Sequence, residues 1–253
     1  MELGLDFEAW WLTLVAAPFI GSFLGVLIVR LPAGEPVGLS RSRCRYCNHV
    51  LSGADLVPLL SWVALRRRCR YCGSPLGYFY LNIELAALLV AVWAATETSG
   101  WLLWVTCGFG WALLALAVID AKHLYLPDVM TLPLIPAGLA VVWLVDREAL
   151  AIHAFSAILG FSVFWLVGYV YRRLRGRDGL GLGDAKLLAA AGAWLSWPGL
   201  PSVVMIAAAS ALLVSLLMAA WKKNLSMTQR MPFGPYLCLG TWLVWLYGPL
   251  LLG

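Results

Sequence analysis

Long apolar stretches separated by short polar connections run along nearly the whole chain, and eight of them are long enough, or nearly so, to cross a bilayer. A hydrocarbon core of about 30 Å needs roughly 20 residues of apolar helix. Alternation of period two, typical of a membrane β-barrel, is absent. The pattern therefore predicts an all-α integral membrane protein with about eight transmembrane helices. The predicted spans are residues 9–29, 79–95, 101–119, 129–145, 152–171, 185–197, 203–220 and 233–252.

Two of these spans have unusual ends. The span at 185–197 is short, so it either starts below the membrane surface or continues through the proline-containing turn at 198–201. The first span is too long for the core of a signal peptide and has no basic leader before it, so we interpret it as a retained helix. The residues that precede it are acidic: Glu2, Asp6 and Glu8.

The composition agrees with a membrane protein. Of the 253 residues, 62% are apolar and 12% are charged, and the mean hydropathy is +0.84. Average soluble domains contain about 45–50% apolar and about 25% charged residues. One soluble core cannot bury this much apolar surface, which excludes a disordered chain, a coiled coil and an ordinary soluble enzyme.

The basic residues indicate the orientation of the helices. All but Arg147 of the 18 Lys and Arg residues fall in the segments 30–77, 120–128, 172–184 and 221–232 or, for Lys186, just after the third segment. With eight spans these segments share one side, and Lys and Arg concentrate in cytoplasmic loops, so both termini are predicted to be extracytoplasmic. The net charge of +5 is therefore mainly a topology signal. We expect the basic loops to contact anionic membrane lipids and predict no nucleic-acid partner.

The segment 31–77 contains two Cys-x-x-Cys pairs separated by 21 residues. Each pair can present two thiolates to one tetrahedral ion, and four thiolates leave no open position for water. The spacing therefore predicts a structural zinc site, with thiolates favoured by neighbouring arginines. Disulfides are the alternative, which a reducing cytosol disfavours. The predicted ligands are Cys44, Cys47, Cys69 and Cys72, whereas Cys107 and Cys238 lie in apolar spans and are interpreted as buried small side chains.

Two carboxylates are predicted at the cytoplasmic edge of the membrane. Asp120 closes the third span and Asp184 opens the sixth. Ionisable groups beside apolar helix are costly, which favours a functional interpretation. Two carboxylates that share a site do not both ionise easily, so one can act as base while the other acts as acid on a shared water, as in aspartic proteases. Asp184 could instead cap its helix, and the sequence does not show whether the two spans touch.

Two further acidic residues have other expected roles. Asp128, which follows Pro127, is predicted to cap the fourth span. Glu84 lies with Asn82 at the cytoplasmic start of the second span, where it could be interfacial or could bind a substrate amine.

Four blocks of the sequence carry a further signal: GSFL at 21–24 with RLP at 30–32, Asp55 with PLLSW at 58–62 between the cysteine pairs, ID at 119–120 with YLPD at 125–128 and TLPL at 131–134, and GLGDAK at 181–186. In this order they resemble the type IV prepilin peptidases, a family of GxGD-type membrane aspartic proteases. The resemblance extends from about residue 18 to about residue 240.

The resemblance implies an integral membrane aspartic endopeptidase whose catalytic pair is Asp120 and Asp184, with Asp128 outside the pair. The implied substrates are type IV prepilins and type II secretion pseudopilins. Their short basic leader would be removed after a glycine, at the cytoplasmic face of the bacterial inner membrane. The glycines of the GxGD motif would let the backbone approach the substrate. The residues assigned to support the site are Gly181, Gly183, Lys186 and Glu84.

Many members of this family also methylate the new N-terminus with S-adenosylmethionine. Four departures from the family pattern bear on that second activity, and they leave both aspartates intact. The sequence thus predicts a peptidase and leaves methyltransferase activity open. The departures are Gly25 for Asn, Arg45 for Pro, Leu56 for Asn, and Tyr-Phe-Tyr at 78–80 for an Arg-Tyr-Pro run.

Two other functions remain open at this point. A transporter could use Asp120, Asp184 and Glu84 as a cation path, although no internal repeat supports one. A catalytically inactive scaffold could recruit a partner through the zinc loop. In every case the predicted domains are a first transmembrane helix at 1–30, a cytoplasmic zinc-binding loop domain at 31–77, and a seven-helix membrane domain at 78–253 that would carry the peptidase site.

Overall fold

The computed structural model of the chain describes residues 10–37, 42–44, 46–176, 181–221 and 231–250. Several residues used above to predict topology or to compare motifs lie outside these ranges, namely Glu2, Asp6, Glu8, Arg41, Arg45, Arg177, Lys222, Lys223 and Arg230.

Helices account for nearly all of the regular structure in the described ranges. A short 3₁₀ helix, Gly53–Leu56, lies between the first and second α-helices. The α-helices are α1 (Trp10–Arg30), α2 (Leu60–Ala64), α3 (Phe79–Glu97), α4 (Gly100–His123), α5 (Asp128–Val145), α6 (Leu150–Arg175), α7 (Leu182–Trp221) and α8 (Gly234–Tyr247).

Six of the helices built from described residues, α1 and α3 to α7, are long and apolar enough to cross a membrane. The predicted all-α, multi-pass membrane architecture is confirmed. The predicted spans 185–197 and 203–220 both fall within α7, whose helix breaks at Ser196 (φ 62°, ψ 174°) shortly before Pro198 and Pro201. Proline cannot donate the hydrogen bond that continues a helix. The break at Ser196 separates two helical segments that correspond to the predicted spans 185–197 and 203–220, and the last span is a helix of 14 residues.

The chain divides into two compact units, Met1–Ala115 and Leu116–Gly253, and the division falls within α4. In the amino-terminal unit, α1 packs against α3. The two helices approach closely because Gly21 has no side chain: a Cβ there would lie 2.7 Å from the Cα of Glu84. The domain boundaries proposed at residues 30 and 77 stay a prediction.

In the carboxy-terminal unit, α7 packs against α5, α6 and α8. The first half of α7 is rich in alanine and almost completely buried. A Cβ at Gly160 of α6 would lie 2.6 Å from the carbonyl oxygen of Leu188. On the other side, the Nε1–H of Trp194 donates to the carbonyl oxygen of Leu134 at 2.8 Å. The close packing of α6 and the hydrogen bond to α5 together fix the position of the first half of α7, which begins near Asp184.

Candidate active site and metal centre

The cysteines of the two Cys-x-x-Cys pairs lie together in the amino-terminal unit. All four Sγ atoms are within 4.8 Å of one another, and those of Cys44 and Cys72 are 3.8 Å apart. A tetrahedral zinc ion with Zn–S bonds of about 2.3 Å separates its sulfurs by about 3.8 Å, so these cysteines could hold one zinc ion. A disulfide would need about 2.05 Å between sulfurs, and all four cysteines are free.

Two similar turns bring the thiols together. In the first turn, the N–H of Asn48 donates to the carbonyl oxygen of Cys44 at 3.0 Å. In the second, the N–H of Gly73 donates to the carbonyl oxygen of Cys69 at 2.9 Å. Asn48 and Gly73 both have a left-handed backbone, with φ of 55° and 69°. Glycine and asparagine adopt this conformation more easily than other residues, which explains their positions after each pair.

Local hydrogen bonds favour the thiolate form in two of these cysteines. The backbone N–H groups of Cys47 and Tyr46 lower the pKa of Cys44. Hydrogen bonds with the side chain and backbone of Ser74 lower the pKa of Cys72 to about 6. From the sequence we expected neighbouring arginines to favour the thiolate. In the structure, hydrogen bonds from residues of the turns lower the pKa of Cys44 and Cys72. Zinc binds the thiolate, so these turns prepare two of its ligands.

A buried carboxylate joins the segment between the turns to the second turn. The side chain of Asp55 is 2% exposed, and its Oδ1 accepts the Nε–H of Arg70 at 2.7 Å. Its Oδ2 accepts the hydroxyl and the N–H of Ser52 at 2.7 and 3.1 Å. These donors, Ser52 first and Arg70 second, hold the pKa of Asp55 below its usual range. The segment that carries the four cysteines is called the zinc loop after the ion that it could hold, and this ion pair stabilises it.

Glu84 belongs to the same amino-terminal unit and is buried near the start of α3. Its Oε2 accepts the backbone N–H of Leu59 at 2.8 Å. Leu59 has φ of 60°, a conformation that is unfavourable for a residue with a side chain. Glu84 thus holds a strained turn of the loop against α3. The supporting role assigned to it at the catalytic site stays a prediction.

Asp120 lies in the last turn of α4 and is buried, at 6% exposure. The backbone N–H of Gly234, at the start of α8, donates to its Oδ2 at 2.9 Å. A Cβ at residue 234 would lie 2.7 Å from the same oxygen, so the backbone comes this close only because the residue is glycine.

Asp184 lies in the first turn of α7, and its Oδ2 accepts the N–H of Gly181 at 3.2 Å. A carboxylate in this position caps the start of a helix, so the capping role considered above is present. That role is compatible with a shared site, because the carboxylates of Asp184 and Asp120 lie within electrostatic range of each other. The buried thiol of Cys238 lies within range of both. The carboxy-terminal unit therefore brings the two predicted carboxylates together.

Other residues of the two aspartate motifs contact each other. The Nζ of Lys186 and the Oδ1 of Asp128 form an ion pair at 2.6 Å. The cap predicted at Asp128 is wrong, because Pro127 occupies the N-cap position and α5 begins at Asp128. A Cβ at Gly183 would lie 2.9 Å from the Cβ of Leu126. Gly183 thus allows close packing inside the protein, whereas the resemblance points to an approach to substrate.

Gly234 was not identified from the sequence as a residue of this site. The Gly-Pro pair at 234–235 marks a turn or helix start, and this signal could have drawn attention to it. Its partner could not be inferred, because 114 residues separate it from Asp120. The prediction that Cys107 and Cys238 are buried is confirmed.

Two family models match the chain. Residues 15–98 match the bacterial peptidase A24 N-terminal domain, and residues 107–216 match the type IV leader peptidase family. The first range contains the four clustered cysteines and Glu84, and the second contains both aspartates of the pair.

Several curated relatives are named prepilin leader peptidase/N-methyltransferase. The relative from Burkholderia pseudomallei (strain 1026b) is 39% identical, over 87% of this chain and 80% of its own length. The relative from Aeromonas hydrophila is 34% identical, over 97% and 93% of the two chains. The relative from Pseudomonas aeruginosa is 32% identical, over 93% and 89%. No solved structure matches the chain.

These matches cover the clustered cysteines, both aspartates and most of the length of each relative named above. The resemblance and the enzyme class inferred from the sequence, a prepilin peptidase, are confirmed. The chain belongs to the type IV leader peptidase family.

Proposed function

We propose that the chain is an aspartic endopeptidase that removes the leader of type IV prepilins and pseudopilins at the cytoplasmic face of the bacterial inner membrane, with Asp120 and Asp184 as its catalytic pair. One observation carries the proposal: the two carboxylates lie in the same unit within electrostatic range of each other, and each has its Oδ2 held by a glycine N–H. The names of the relatives supply the substrate class.

In the proposed mechanism one carboxylate is ionised and the other is protonated. The ionised carboxylate takes a proton from a water molecule held between them, and the water oxygen attacks the scissile carbonyl carbon. The protonated carboxyl donates its proton to the carbonyl oxygen. The tetrahedral intermediate then breaks its C–N bond as the leaving amine receives a proton from the pair. The hydrogen bonds found among the described residues engage Oδ2 of each carboxylate, which leaves each Oδ1 for water and substrate.

The position of the pair along its helices suits such a substrate. Asp120 is in the last turn of α4 beside Lys122, and Asp184 is in the first turn of α7, so the chemistry lies at helix ends. The last turn of α6 carries three arginines, the charge distribution of a cytoplasmic helix end. A basic leader could stay in water there while the apolar helix of the substrate remains in the bilayer.

Replacement of the paired carboxylates tests the proposal. Asp120→Asn and Asp184→Asn should each reduce leader cleavage by at least about a thousandfold, because an amide cannot accept the proton from water. Both variants should still accumulate in the membrane. Asp128→Asn is the matched control on the same motif, and it should retain most of the cleavage activity. Undiminished cleavage by either pair variant would overturn the proposed mechanism.

Zinc is the proposed ion of the four-cysteine cluster. Four thiolates form a closed shell, so the ion would supply folding free energy to a loop that is too small to build its own core. No step of the cleavage is assigned to it.

Membrane lipids are a further proposed partner. Leu60 and Val63 of α2 are 70% and 66% exposed, and three exposed arginines follow at 66–68. Apolar side chains followed by basic ones are typical of segments that lie on an anionic bilayer surface. We propose no nucleic-acid partner.

A second candidate activity is methylation of the new N-terminus, because the names of the relatives include N-methyltransferase. The methyl donor, S-adenosylmethionine, would be a second substrate. Two of the residues that depart from the family pattern, Gly25 and Tyr80, lie close together, because a Cβ at residue 25 would lie 2.6 Å from the ring of Tyr80. Mass spectrometry of the processed substrate tests this activity. A gain of one methyl group that requires the donor supports it, and an unchanged mass contradicts it.

A further inference from the structure

An open pocket of about 380 Å³ lies at the short helix α2, in the amino-terminal unit. Four residues line it, and two of them are arginines: Trp62, Val63, Arg66 and Arg67. Both arginines are exposed, and neither forms an ion pair with an acidic residue in the described part of the chain. The pocket is therefore positively charged, and its volume falls within the range of about 300–1,000 Å³ that is typical of small-ligand sites.

Two aromatic rings hold one of these arginines in place. The guanidinium of Arg67 lies 5.9 Å from the centre of the Trp62 ring and 5.5 Å from that of Tyr78. Its Nη1 also donates to the hydroxyl of Tyr78. A guanidinium carries five N–H donors in a fixed plane, so Arg67 keeps further donors for a ligand. Because this side chain is already ordered, it loses less conformational entropy when it binds an anion.

The backbone that carries the two arginines is strained. Arg66 and Arg67 both have a left-handed conformation, with φ of 49° and 62°. Residues with a side chain rarely adopt this conformation, and strain of this kind occurs often at ligand-binding sites. The strain accompanies the placement of two consecutive arginine side chains at one pocket.

The indole of Trp62 adds a donor that the protein does not use. Its Nε1–H is buried, and the described residues supply it with no hydrogen-bond partner. Buried polar groups nearly always have a partner, so an unsatisfied donor at a pocket indicates a ligand or water that completes it. Guanidinium groups and an indole N–H only donate, and an ionised phosphate diester only accepts. The chemistry of the pocket therefore matches that of a phosphate.

The pocket lies beside the start of a membrane-spanning helix. Tyr78, whose ring contacts Arg67, immediately precedes α3, which is long and apolar enough to cross the membrane. Tyrosine and tryptophan are common at the level of the lipid headgroups. On α2, Leu60 and Val63 are 70% and 66% exposed, which suits contact with acyl chains better than contact with water. The phosphate expected at this level is that of a lipid.

We propose that this pocket binds the phosphate of an anionic phospholipid, with Arg66 and Arg67 as its charged donors and the Nε1–H of Trp62 as a neutral one. The inference rests on the proposed contact between α2 and membrane lipids, and it assigns that contact to one defined site. Phosphatidylglycerol should bind more tightly than phosphatidylcholine, because the choline ammonium group would face two arginines. The acyl chains would lie against Leu60 and Val63.

Native mass spectrometry of the full chain in detergent micelles tests the proposal, with phosphatidylglycerol and phosphatidylcholine as the probes. The wild-type protein should bind phosphatidylglycerol at least about tenfold more tightly. Arg67→Lys keeps the charge but loses the planar donors, and it should lower that affinity about tenfold. Trp62→Phe keeps an aromatic ring but removes the N–H, and it should lower the affinity about fivefold. Arg68→Gln is the matched control, because Arg68 is exposed but does not line the pocket, and it should change the affinity less than about twofold.

Two further measurements distinguish loss of the site from other causes. Each variant should keep the zinc content of the wild-type protein, which shows that the zinc loop is folded. Arg66→Gln provides an independent answer should Arg67→Lys lose its metal. Glycerophosphoglycerol, the headgroup of phosphatidylglycerol without acyl chains, should bind at least about a hundredfold more weakly than the lipid. Equal affinity for the soluble headgroup would show that the pocket binds a free phosphate, and it would overturn the proposal of a lipid site.

The outcomes separate this inference from the proposed function. If Arg67→Lys and Trp62→Phe both bind phosphatidylglycerol with wild-type affinity, charge alone attracts the lipid and the defined site is overturned, while the general lipid contact stands. Equal affinity of the wild-type protein for the two lipids would overturn both. Neither result bears on leader cleavage, which the Asp120 and Asp184 variants test separately.

Discussion

The zinc loop of the amino-terminal unit and the carboxylate pair of the carboxy-terminal unit both direct backbone N–H groups at an anion, but over very different distances along the chain. The sulfur of Cys44 accepts from residues two and three positions away. The carboxylate of Asp120 accepts from Gly234, which is 114 positions away. One arrangement is built by a single turn, whereas the other exists only when several helices are packed.

This difference predicts how each region fails. The zinc loop has little core of its own, so its folding should depend on the metal and on its ion pair. The carboxylate pair depends instead on tertiary packing, because the start of α8 must stay within hydrogen-bond distance of the end of α4. Glycine at 234 makes that distance possible. The zinc loop should therefore be sensitive to substitution of its cysteines. The carboxylate site should be sensitive to even one added methyl group at residue 234.

Removal of the metal should have the largest effect, and the effect should be confined to the zinc loop. Cys44→Ser/Cys69→Ser takes one ligand from each turn, and about 10 kcal/mol of zinc-binding free energy is lost with the site. Metal analysis should find roughly one zinc per chain in the wild-type protein and none in the double variant. Limited proteolysis should then cut within residues 46–76 while the membrane helices stay resistant.

The control for this experiment is Cys107→Ala, which changes a buried cysteine of α4 outside the ligand set. It should keep its zinc and its resistance to protease. Unchanged zinc content in the double variant would show that these thiols do not hold the metal. Collapse of the whole chain on zinc loss would show that the two regions are less independent than their local contacts indicate.

Addition of one methyl group beside Asp120 should have the next largest effect. In Gly234→Ala the new Cβ would stand 2.7 Å from Oδ2, so either the carboxylate or the start of α8 must move. A displacement of about 1 Å in an active site can cost about a hundredfold in rate, which is the loss of kcat/KM expected here. Cleavage assays on membranes with matched protein levels measure it.

Gly240→Ala is the matched control on the same helix. Its Cβ would lie 2.5 Å from the backbone carbonyl oxygen of Val203, which is a tighter approach that involves no carboxylate. Gly240→Ala should lower the stability of the protein, but each folded molecule should keep more cleavage activity than a folded molecule of Gly234→Ala. Equal loss of kcat/KM in both variants would attribute the effect of Gly234→Ala to general packing.

The limits of prediction from sequence follow the same division between local and distant contacts. The Cys-x-x-Cys spacing identified the clustered thiols, the GxGD motif identified Asp184, and the separate block that begins with ID at 119–120 identified Asp120. Each of these signals lies within a few residues. The hydrogen bond between Glu84 and Leu59 and the ion pair between Lys186 and Asp128 were not predicted. Their partners are 25 and 58 residues apart and meet only through tertiary packing.

The membrane helices show the same limit on a larger scale. The lengths of the apolar stretches predicted where helices form, since a bilayer requires about 20 residues. They left open whether the stretch at 185–197 continues through the proline turn, and they did not predict the break at Ser196. That outcome depends on how the prolines at 198 and 201 are accommodated by neighbouring helices, which periodicity alone does not encode.

The smallest of these effects is expected from the charge of Asp55, and it tests whether the metal alone holds the zinc loop closed. Asp55→Asn keeps the shape of the side chain but removes the charge that accepts from Ser52 and Arg70. A hydrogen bond to a charged group contributes about 1.5–3 kcal/mol, so loss of the charge should cost about 2 kcal/mol. Opening of residues 46–76, measured by amide hydrogen exchange with zinc in excess, should become roughly thirtyfold more frequent at pH 7.

The pH dependence of that difference identifies the carboxylate as its cause. Because the pKa of Asp55 is lowered in the folded protein, its contribution is complete above the unfolded value of about 3.9 and is lost as the pH falls through the folded value. Wild type and Asp55→Asn should therefore differ by a constant amount from pH 8 to about 5 and converge below about pH 4. Asp146→Asn is the control, since its carboxylate also accepts backbone N–H groups but is exposed. An equal effect there would mean that a surface charge, and not the buried ion pair, accounts for the result.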